Sequence, residues 1–480
     1  MNGPIDHGTL HRTAKYFMDN GRAETHEEAM SLLKSFGLTV HVGPEIASSV
    51  HHQTALITLV NVARRTLLAG IEVVAMPDVT SVTPLASGHN LRQAIHDLGG
   101  RLVHSPRPDW PCAIIGAASP GLLTVPAWRL TWSGWRGGAV PVCIGGRLSD
   151  ETTVPLAPAL AAAACTAEAF AYFAQDHVMA GRRALGLSLW NPVADWMADD
   201  PAEPLLSFLP SRLWIIGLGN LGQAFAWLLA ALPYDDPAQV QIVLQDFDRI
   251  AVSNDSTSLL SHLKDVGRKK TRVVADWLEA RGFDTSLEER RFGEWTHRAD
   301  HEPGAALCGV DNALARIALD GAGFGLVVET GLGAGPQAFR SISMHTFPAS
   351  RTAAEIWTRQ VASGPENPES MPAYQALKRQ GIDRCGLTQL ASRTVGVPFV
   401  GLIAGCLSIG ELLRRLHQGS AIEVLSTSAA ALDHVEMTQH PATVYDFGHV
   451  TAAQPPQGHR PQRPSTAEMQ AMLDGAHSSR

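Results

Sequence analysis

The sequence predicts an α/β protein with parallel sheets, and three observations carry that prediction. Apolar runs of strand length alternate with longer helical runs along most of the chain, the order that parallel strands require because each crossover is a helix. A glycine-rich turn, "GLGNLG" at 217–222, falls directly between one such strand and one such helix. At 480 residues the chain exceeds one ordinary core, so two units of this kind are expected.

Residues 1–38 read as short polar helices, with "THEEAMSLLKSFG" the clearest. "LTVHVG" then reads as a strand, "HHQTALITLVNVARRTLLAG" as a long helix and "IEVVAMPDV" as a second strand. "HNLRQAIHDLGG" reads as a helix, and "RLVHS" and "PCAIIGAAS" as strands. Residues 174–208, which carry "LSLWNPVADWMADDPAEP", read as a connection between halves. A second series opens with the strand and turn of "RLWIIGLGNLG", followed by the helix "QAFAWLLAAL" and the strand "VQIVLQDFD". "VGRKKTRVVADWLEARG" reads as a helix, and "AALCGVDN", "FGLVVETGLGAG" and "RSISMHTF" continue the sheet. Residues 349–384 are polar and too long for a simple connector. "VPFVGLIAGCLSIGELLRRL" reads as a sheet-packing helix, and the low-complexity "TAAQPPQGHRPQRPST" from 451 onward as disordered.

The two series look like a degenerate internal repeat. "PLAPALAAAACTAEAF" (155–170) aligns without gaps to "PFVGLIAGCLSIGELL" (398–413), with Pro155 on Pro398 and Glu168 on Glu411. "IEVVAMPDV" likewise parallels "VQIVLQDFD", each strand ending in an acid, Asp78 and Asp246. The first half offers only Gly43 where the second has three glycines, which is expected of a copy that has lost its nucleotide site. The expected organisation is a degenerate half at 1–195, an active nucleotide-binding half at 196–345 and 398–450, an intervening loop at 346–397 and a tail at 451–480.

Composition excludes several classes. A net charge of −8, from 46 acidic and 38 basic residues, is the wrong balance for nucleic acid. "PFVGLIAGCLSIG" is too short to cross a bilayer, and the N-terminal residues contain no apolar signal-peptide region. Six scattered cysteines without a C-x-x-C pair suit a reducing cytoplasm. Glu168 and Glu411 read as structural, the Trp128, Trp132 and Trp135 cluster as sheet packing, and the His51-His52 pair as lacking a third metal ligand.

Gly217, Gly219 and Gly222 form G-x-G-x-x-G, which lets backbone N–H groups approach a phosphate at a helix N-terminus. Asp246 follows Gly222 by 24 residues at the end of the next strand, where an acid accepts hydrogen bonds from ribose hydroxyls. These features alone serve NAD as well as ATP. Asn254 and the cations Arg268, Lys269 and Lys270 come next, and a triphosphate is what such cations would face. Asp311 leaves the fourth strand at the sheet edge where ligands bind, suitably placed to hold a phosphate-bound Mg²⁺.

In their order, "GLGNLG", "DFDRIAVSN", "GRKK" and "DNALAR" resemble the ThiF/MoeB-type, ubiquitin-activating adenylyltransferase family. With "RCGLTQLASRTVGVPFVGLIAGCLSIGELLRRL", the resemblance covers 212–345 and 385–416, about half the chain. It implies a Rossmann-like ThiF-type domain that uses ATP and Mg²⁺ to adenylate the C-terminal carboxylate of a small ubiquitin-like protein. By the same resemblance, Asp246 matches the ribose-binding acid, Lys270 the phosphate-contacting lysine and Asp311 the Mg²⁺ and transition-state acid. Asn254 matches the asparagine near the phosphates, and Gly217, Gly219 and Gly222 match the phosphate loop. Thr257 stands where the family carries a phosphate-contacting arginine, so Arg268, Lys269 or an arginine of the first half (Arg12, Arg64 or Arg65) is expected to substitute.

Cys385, in "GIDRCGLTQLAS", lies where family members carry the cysteine that takes the acyl group as a thioester, and Arg384 beside it favours a thiolate. Thr388 or Ser392 could carry an ester instead, or the adenylate could pass directly to a partner. The implied partners are the ubiquitin-like protein and a conjugating enzyme, with a homodimer left open. Activation of a sulfur carrier or peptide, an NAD-dependent oxidoreductase and an inactive scaffold are the other readings of the same residues.

Overall fold

The computed structural model describes residues 8–119, 121, 123–358, 371–382, 384–441 and 449–454. The first half begins with helices α1 (Ala14–Asp19) and α2 (His26–Leu33), strand β1 (Gly37–Val42) and helix α3 (Val50–Ala63). β2 (Gly70–Val74), α4 (Leu91–Asp97), β3 (Gly100–Val103) and β4 (Cys112–Ile115) follow. It closes with β5 (Ala127–Ser133), β6 (Arg136–Pro141), α5 (Leu156–Ala174) and β7 (Leu185–Ser188). After β8 (Phe208–Pro210) the second half runs β9 (Arg212–Ile216), α6 (Asn220–Ala231), β10 (Gln241–Gln245), α7 (Lys270–Glu279) and β11 (Asp284–Glu288). Then come β12 (Ala305–Cys308), α8 (Ala313–Ile317), β13 (Leu326–Leu332), α9 (Gly335–Ala338) and β14 (Ser341–Phe347). The remainder is α10 (Ala353–Trp357), α11 (Pro372–Arg379), α12 (Arg384–Ser392), α13 (Pro398–Leu416), β15 (Ala421–Ser428), β16 (Ala431–His440) and β17 (Val450–Ala452).

The two sheets repeat one topology. The first is ordered β3-β2-β1-β4-β5-β6-β7 and the second β11-β10-β9-β12-β13-β14-β15-β16, the same order with one added edge strand. Five strands of each are parallel, and the later ones antiparallel. The order reverses between β1 and β4, and again between β9 and β12, which opens a crevice at the carboxyl ends of those strands. The repeat seen in the sequence is thus a repeat of fold.

The aligned helices α5 and α13 are each 19 residues long and pack against one another at the centre. Cys406 Sγ lies 3.7 Å from the Leu156 carbonyl, and both helices belong to one apolar core that runs through both halves. α5 is long and apolar enough to cross a membrane, a length the sequence reading overlooked, but 89% of its most apolar window is buried inside the protein. Each helix carries a buried acid in its last two turns. Glu168 accepts from Gly181 N (2.9 Å) and Arg183, and Glu411 from Ile422 N (3.0 Å), Arg414 and Arg415. Both are structural, as expected. Trp128, Trp132 and Trp135 are fully buried in the first-half core.

Several expectations need correction. α1 is a buried strut between the halves, where a polar surface helix was expected: Tyr16 donates to Asp176 (2.7 Å), which also pairs with Arg340 ahead of β14. The connection at 174–208 contains β7, which completes the first sheet. Thr451 and Ala452, assigned to a disordered tail, form β17 on β8, while residues 455–480 lie outside the described residues. Asp78 does not correspond to Asp246. It lies four residues past the end of β2, where it accepts from the Asn90 side chain (2.5 Å), whereas Asp246 directly follows β10.

Three partly buried histidines make stability depend on pH. Burial, reinforced by His26, His52 or the Arg65 and Arg64 pair, lowers His11, His51 and His262 respectively to about 4. In the unfolded chain each titrates near 6.5, so between pH 6.5 and 4 the unfolded state binds more protons. Their contribution is complete above pH 6.5 and is lost as pH falls toward 4. The unfolding free energy from urea titration is expected to drop between pH 7 and pH 5, by on the order of 1–2 kcal/mol per histidine. A flat profile above pH 5 would contradict this.

Candidate active site

Strand register assembles the site. Ile216 is level with Gln245 on β10 and with Cys308 on β12, so Gly217, Asp246 and Gly309 leave the sheet at one edge. Gly217 has φ +85, which favours glycine, and a Cβ there would meet Val310 at 3.1 Å. A Cβ on Gly222 would stand 1.9 Å from the Gly217 carbonyl oxygen, so helix and strand meet here backbone to backbone. Gly219 faces open space at the N-terminus of α6, where free N–H groups suit an anion. Gly222→Ala is accordingly expected to displace the loop, abolish nucleotide binding in calorimetry and cost about 1–3 kcal/mol in urea unfolding. Unchanged binding would contradict that geometry.

Asp246 braces this loop. Its carboxylate accepts from Leu218 N and from Asp248 N, both at 2.7 Å, which leaves lone pairs for a ribose. Lys270, the first residue of α7, is largely buried with its ammonium 2.8 Å from Asp248 and 3.8 Å from Asp246. Asn254 accepts from Ala251 N (2.8 Å) and closes the turn after Asp248. Arg268 is committed elsewhere, to Asp265 (3.1 Å) and Asp276 (2.5 Å), and Lys269 to the Phe247 carbonyl (2.6 Å). Neither supplies the missing arginine in this arrangement.

The first-half arginines divide into two roles. Arg65 is buried and donates to the carbonyls of Asp255 (2.6 Å), Leu259 (2.8 Å) and Ser261 (3.1 Å), while Arg64 pairs with Asp255 at 3.3 Å. They hold the 255–261 loop in shape. Arg12 instead borders a cavity of about 340 Å³ together with Asp311, Gln389, Ser392, Arg393 and Thr394. Its backbone N–H donates to Ser256 (3.1 Å), and its guanidinium to the Thr394 carbonyl and hydroxyl (2.8 and 2.9 Å). Burial and then Arg393 pull Arg12 down to about 10, against the pull of Asp311, so it is cationic at neutral pH. Val397 accepts from Asn220 (3.0 Å) at the start of α6, which sets the 394–397 segment beside the glycine loop.

Asp311 is exposed on this cavity, and no hydrogen bond reaches its carboxylate among the described residues. A single carboxylate of this kind fits Mg²⁺, which takes one or two protein oxygens plus phosphates and water. No cluster of three or more metal-ligating side chains occurs among the described residues. Cys385 falls on α12, but its side chain lies outside the described residues. Ser392, a candidate ester carrier, lines the cavity. Cys308 and Cys406 are buried core residues, as expected, with burial raising Cys308 to about 12 and Cys406 further. Cys143 is the exposed thiol among the described cysteines. The sequence reading missed Arg393, Thr394 and Gln389, because nothing in "QLASRT" marks a site until the fold brings it against Asp311.

The first half has the crevice without the site. Its third residue after β1, the place of Gly219, is Glu45, whose carboxylate accepts from Ala117 N at 3.1 Å. Burial opposes its charge, but that hydrogen bond together with His52 and Arg147 holds it below the usual carboxylate range. An anionic side chain stands at the position that Gly219 leaves open in the second half.

The family model described as the BilD N-terminal domain matches residues 37–189, and that of the BilD C-terminal domain matches residues 209–419. The bacterial E1-like protein BilD of Collimonas sp. (strain OK412) is 62% identical over 452 residues, covering 94% of this chain and 98% of that relative. This chain belongs to the BilD family. The E1-like name of that relative agrees with the ThiF/MoeB-type resemblance. Among solved structures, E. coli MccB matches with a TM-score of 0.31 and 13% identity, over 48% of this chain and 62% of MccB, less than two thirds of its length. The E. coli tRNA N6-threonylcarbamoyladenosine dehydratase TcdA matches with a TM-score of 0.29 and 14% identity, over 43% of this chain and 86% of its own.

Proposed function

We propose that the second half uses ATP to adenylate the C-terminal carboxylate of a small ubiquitin-like protein, and that Cys385 then carries the acyl group as a thioester for a conjugating enzyme. The observation that carries the reading is the cavity beside the glycine loop, where Arg12 from the first half meets Asp311 from the second. A pseudo-dimer with one spent copy is explained if that copy survives to supply the cation.

The chemistry asks for positioning and charge neutralisation. A carboxylate oxygen attacks the α-phosphorus while the bond from that phosphorus to the bridging oxygen breaks, and pyrophosphate leaves. The N–H groups at the start of α6 face the phosphates, and Asp246 meets the ribose while holding the loop through Leu218. Lys270 offers an ammonium that a phosphate would draw from Asp248. Arg12, fixed by Thr394, holds its charge toward the leaving group. Asp311 would hold Mg²⁺, which when bound neutralises phosphate charge. The Cys385 thiolate then attacks the acyl carbon, and AMP leaves. All five described cysteines are free, in keeping with a reducing cytoplasm.

ATP–pyrophosphate exchange by the full chain, with small ubiquitin-like proteins encoded by neighbouring genes, tests the reading. Exchange is expected with a free C-terminal carboxylate and not with the amidated protein. Tight NAD binding without exchange would overturn it. A thiol-sensitive adduct, lost in Cys385→Ala and kept in Cys143→Ala, would support the thioester step, and the reverse pattern would refute it.

A further inference from the structure

Thr257 leaves a gap in the phosphate-binding set, and the structure fills the corresponding space with another part of the chain. Thr257 is buried, and its Cγ2 lies 2.7 Å from the position a Cβ on Gly396 would take. Two small residues therefore let the segment before α13 lie flat on the 252–257 turn, and a long side chain at 257 would collide with it. That segment is tied down by three side chains. Thr13 donates to the Gly396 carbonyl (3.2 Å), Arg12 donates to Thr394, and Asn220 of α6 donates to the Val397 carbonyl (3.0 Å).

The result is that Arg393 stands on the cavity with Arg12 and Asp311. Arg393 is exposed, and among the described residues no carboxylate pairs with it. Arg12 cannot grip an anion with its full fork, because its Nε and one amino group are spent on Thr394. Arg393 has the whole fork to offer. Two guanidinium groups on one small cavity repel each other, and Arg393 indeed depresses Arg12, a cost that a polyanion between them would relieve.

We propose that Arg393 replaces the absent arginine as the cation that binds the β- and γ-phosphates of ATP and the pyrophosphate they become, with Arg12 as its fixed neighbour. This rests on the adenylation reading and names the residue that makes adenylation work without an arginine at 257. Small residues at 257 and 396 are then part of the site, since they let the segment reach it.

Calorimetry with the full chain and ATP, pyrophosphate or AMP tests the assignment. Arg393→Ala is expected to weaken ATP and pyrophosphate by about 10- to 100-fold, as for a lost charge-assisted hydrogen bond. AMP, which lacks those phosphates, should bind within about twofold of wild type, and Arg393→Lys should recover part of the loss. Equal weakening of ATP and AMP would mean that the segment has shifted, and would overturn the assignment. Wild-type exchange that survives in Arg393→Ala with an unchanged KM for pyrophosphate would also overturn it, while leaving adenylation standing. Failure of the wild-type chain to bind ATP would remove the adenylation reading itself.

Discussion

Asp311→Asn is expected to lower ATP–pyrophosphate exchange by roughly 10²- to 10³-fold while leaving the fold intact. The substitution keeps the side-chain volume and removes the charge that would sit opposite the phosphates. Asp311 is exposed at the exit of β12, and no hydrogen bond reaches its carboxylate among the described residues, so nothing in the core depends on it. Unfolding free energy should stay within about 0.5 kcal/mol of wild type, the usual range for a surface position. The two readouts separate a catalytic acid from a structural one. Exchange within fivefold of wild type would remove Asp311 from the chemistry, and a lowered urea midpoint would show that it supports the loop instead.

Glu411→Ala is expected to have the largest effect on stability, about 3–5 kcal/mol, because it strands buried charge. Glu411 is 1% exposed and receives Arg414 and Arg415, each at 2.5 Å, together with the N–H of Ile422 at 3.0 Å. Removing it leaves two guanidinium groups and an amide without their acceptor at the junction of α13 and β15. Glu411→Gln should cost less, since an amide oxygen still accepts one of the three donors. Urea unfolding of both variants measures the difference. A loss below about 1 kcal/mol for the alanine variant would mean that water takes over the acceptor role.

The parts of this protein legible along the chain are those whose chemistry is local. "GLGNLG" reads as a phosphate loop because a strand, a tight turn and a helix must follow one another within a few residues, and the structure places the turn between β9 and α6. The match of Glu168 to Glu411 marked a repeat because a buried acid near a helix end fixes its own neighbours. The strand assignment was weaker where burial, and not alternation, shaped the sequence. β7 is hidden in a run of Trp and Pro residues that reads as a connector, and it becomes a strand only because β6 offers it an edge.

The sequence by itself determined the α/β class and the duplication, and it put the glycine turn and the acids Asp246 and Asp311 beyond strand ends, each specified by neighbours a few positions away. It also named three first-half arginines without a means of choosing among them. Only the tertiary structure separated them by position. Arg64 and Arg65 became braces for the 255–261 loop because α3 packs beneath it, and Arg12 reached the cavity because α1 is buried between the halves. It alone showed Glu45, an anionic side chain, in the place of Gly219. It alone brought Arg393 against Asp311 across some eighty residues of chain. The physical reason is that a loop motif is held by bonds along the backbone, whereas a charge shared between two halves is held by packing that no short stretch of sequence encodes.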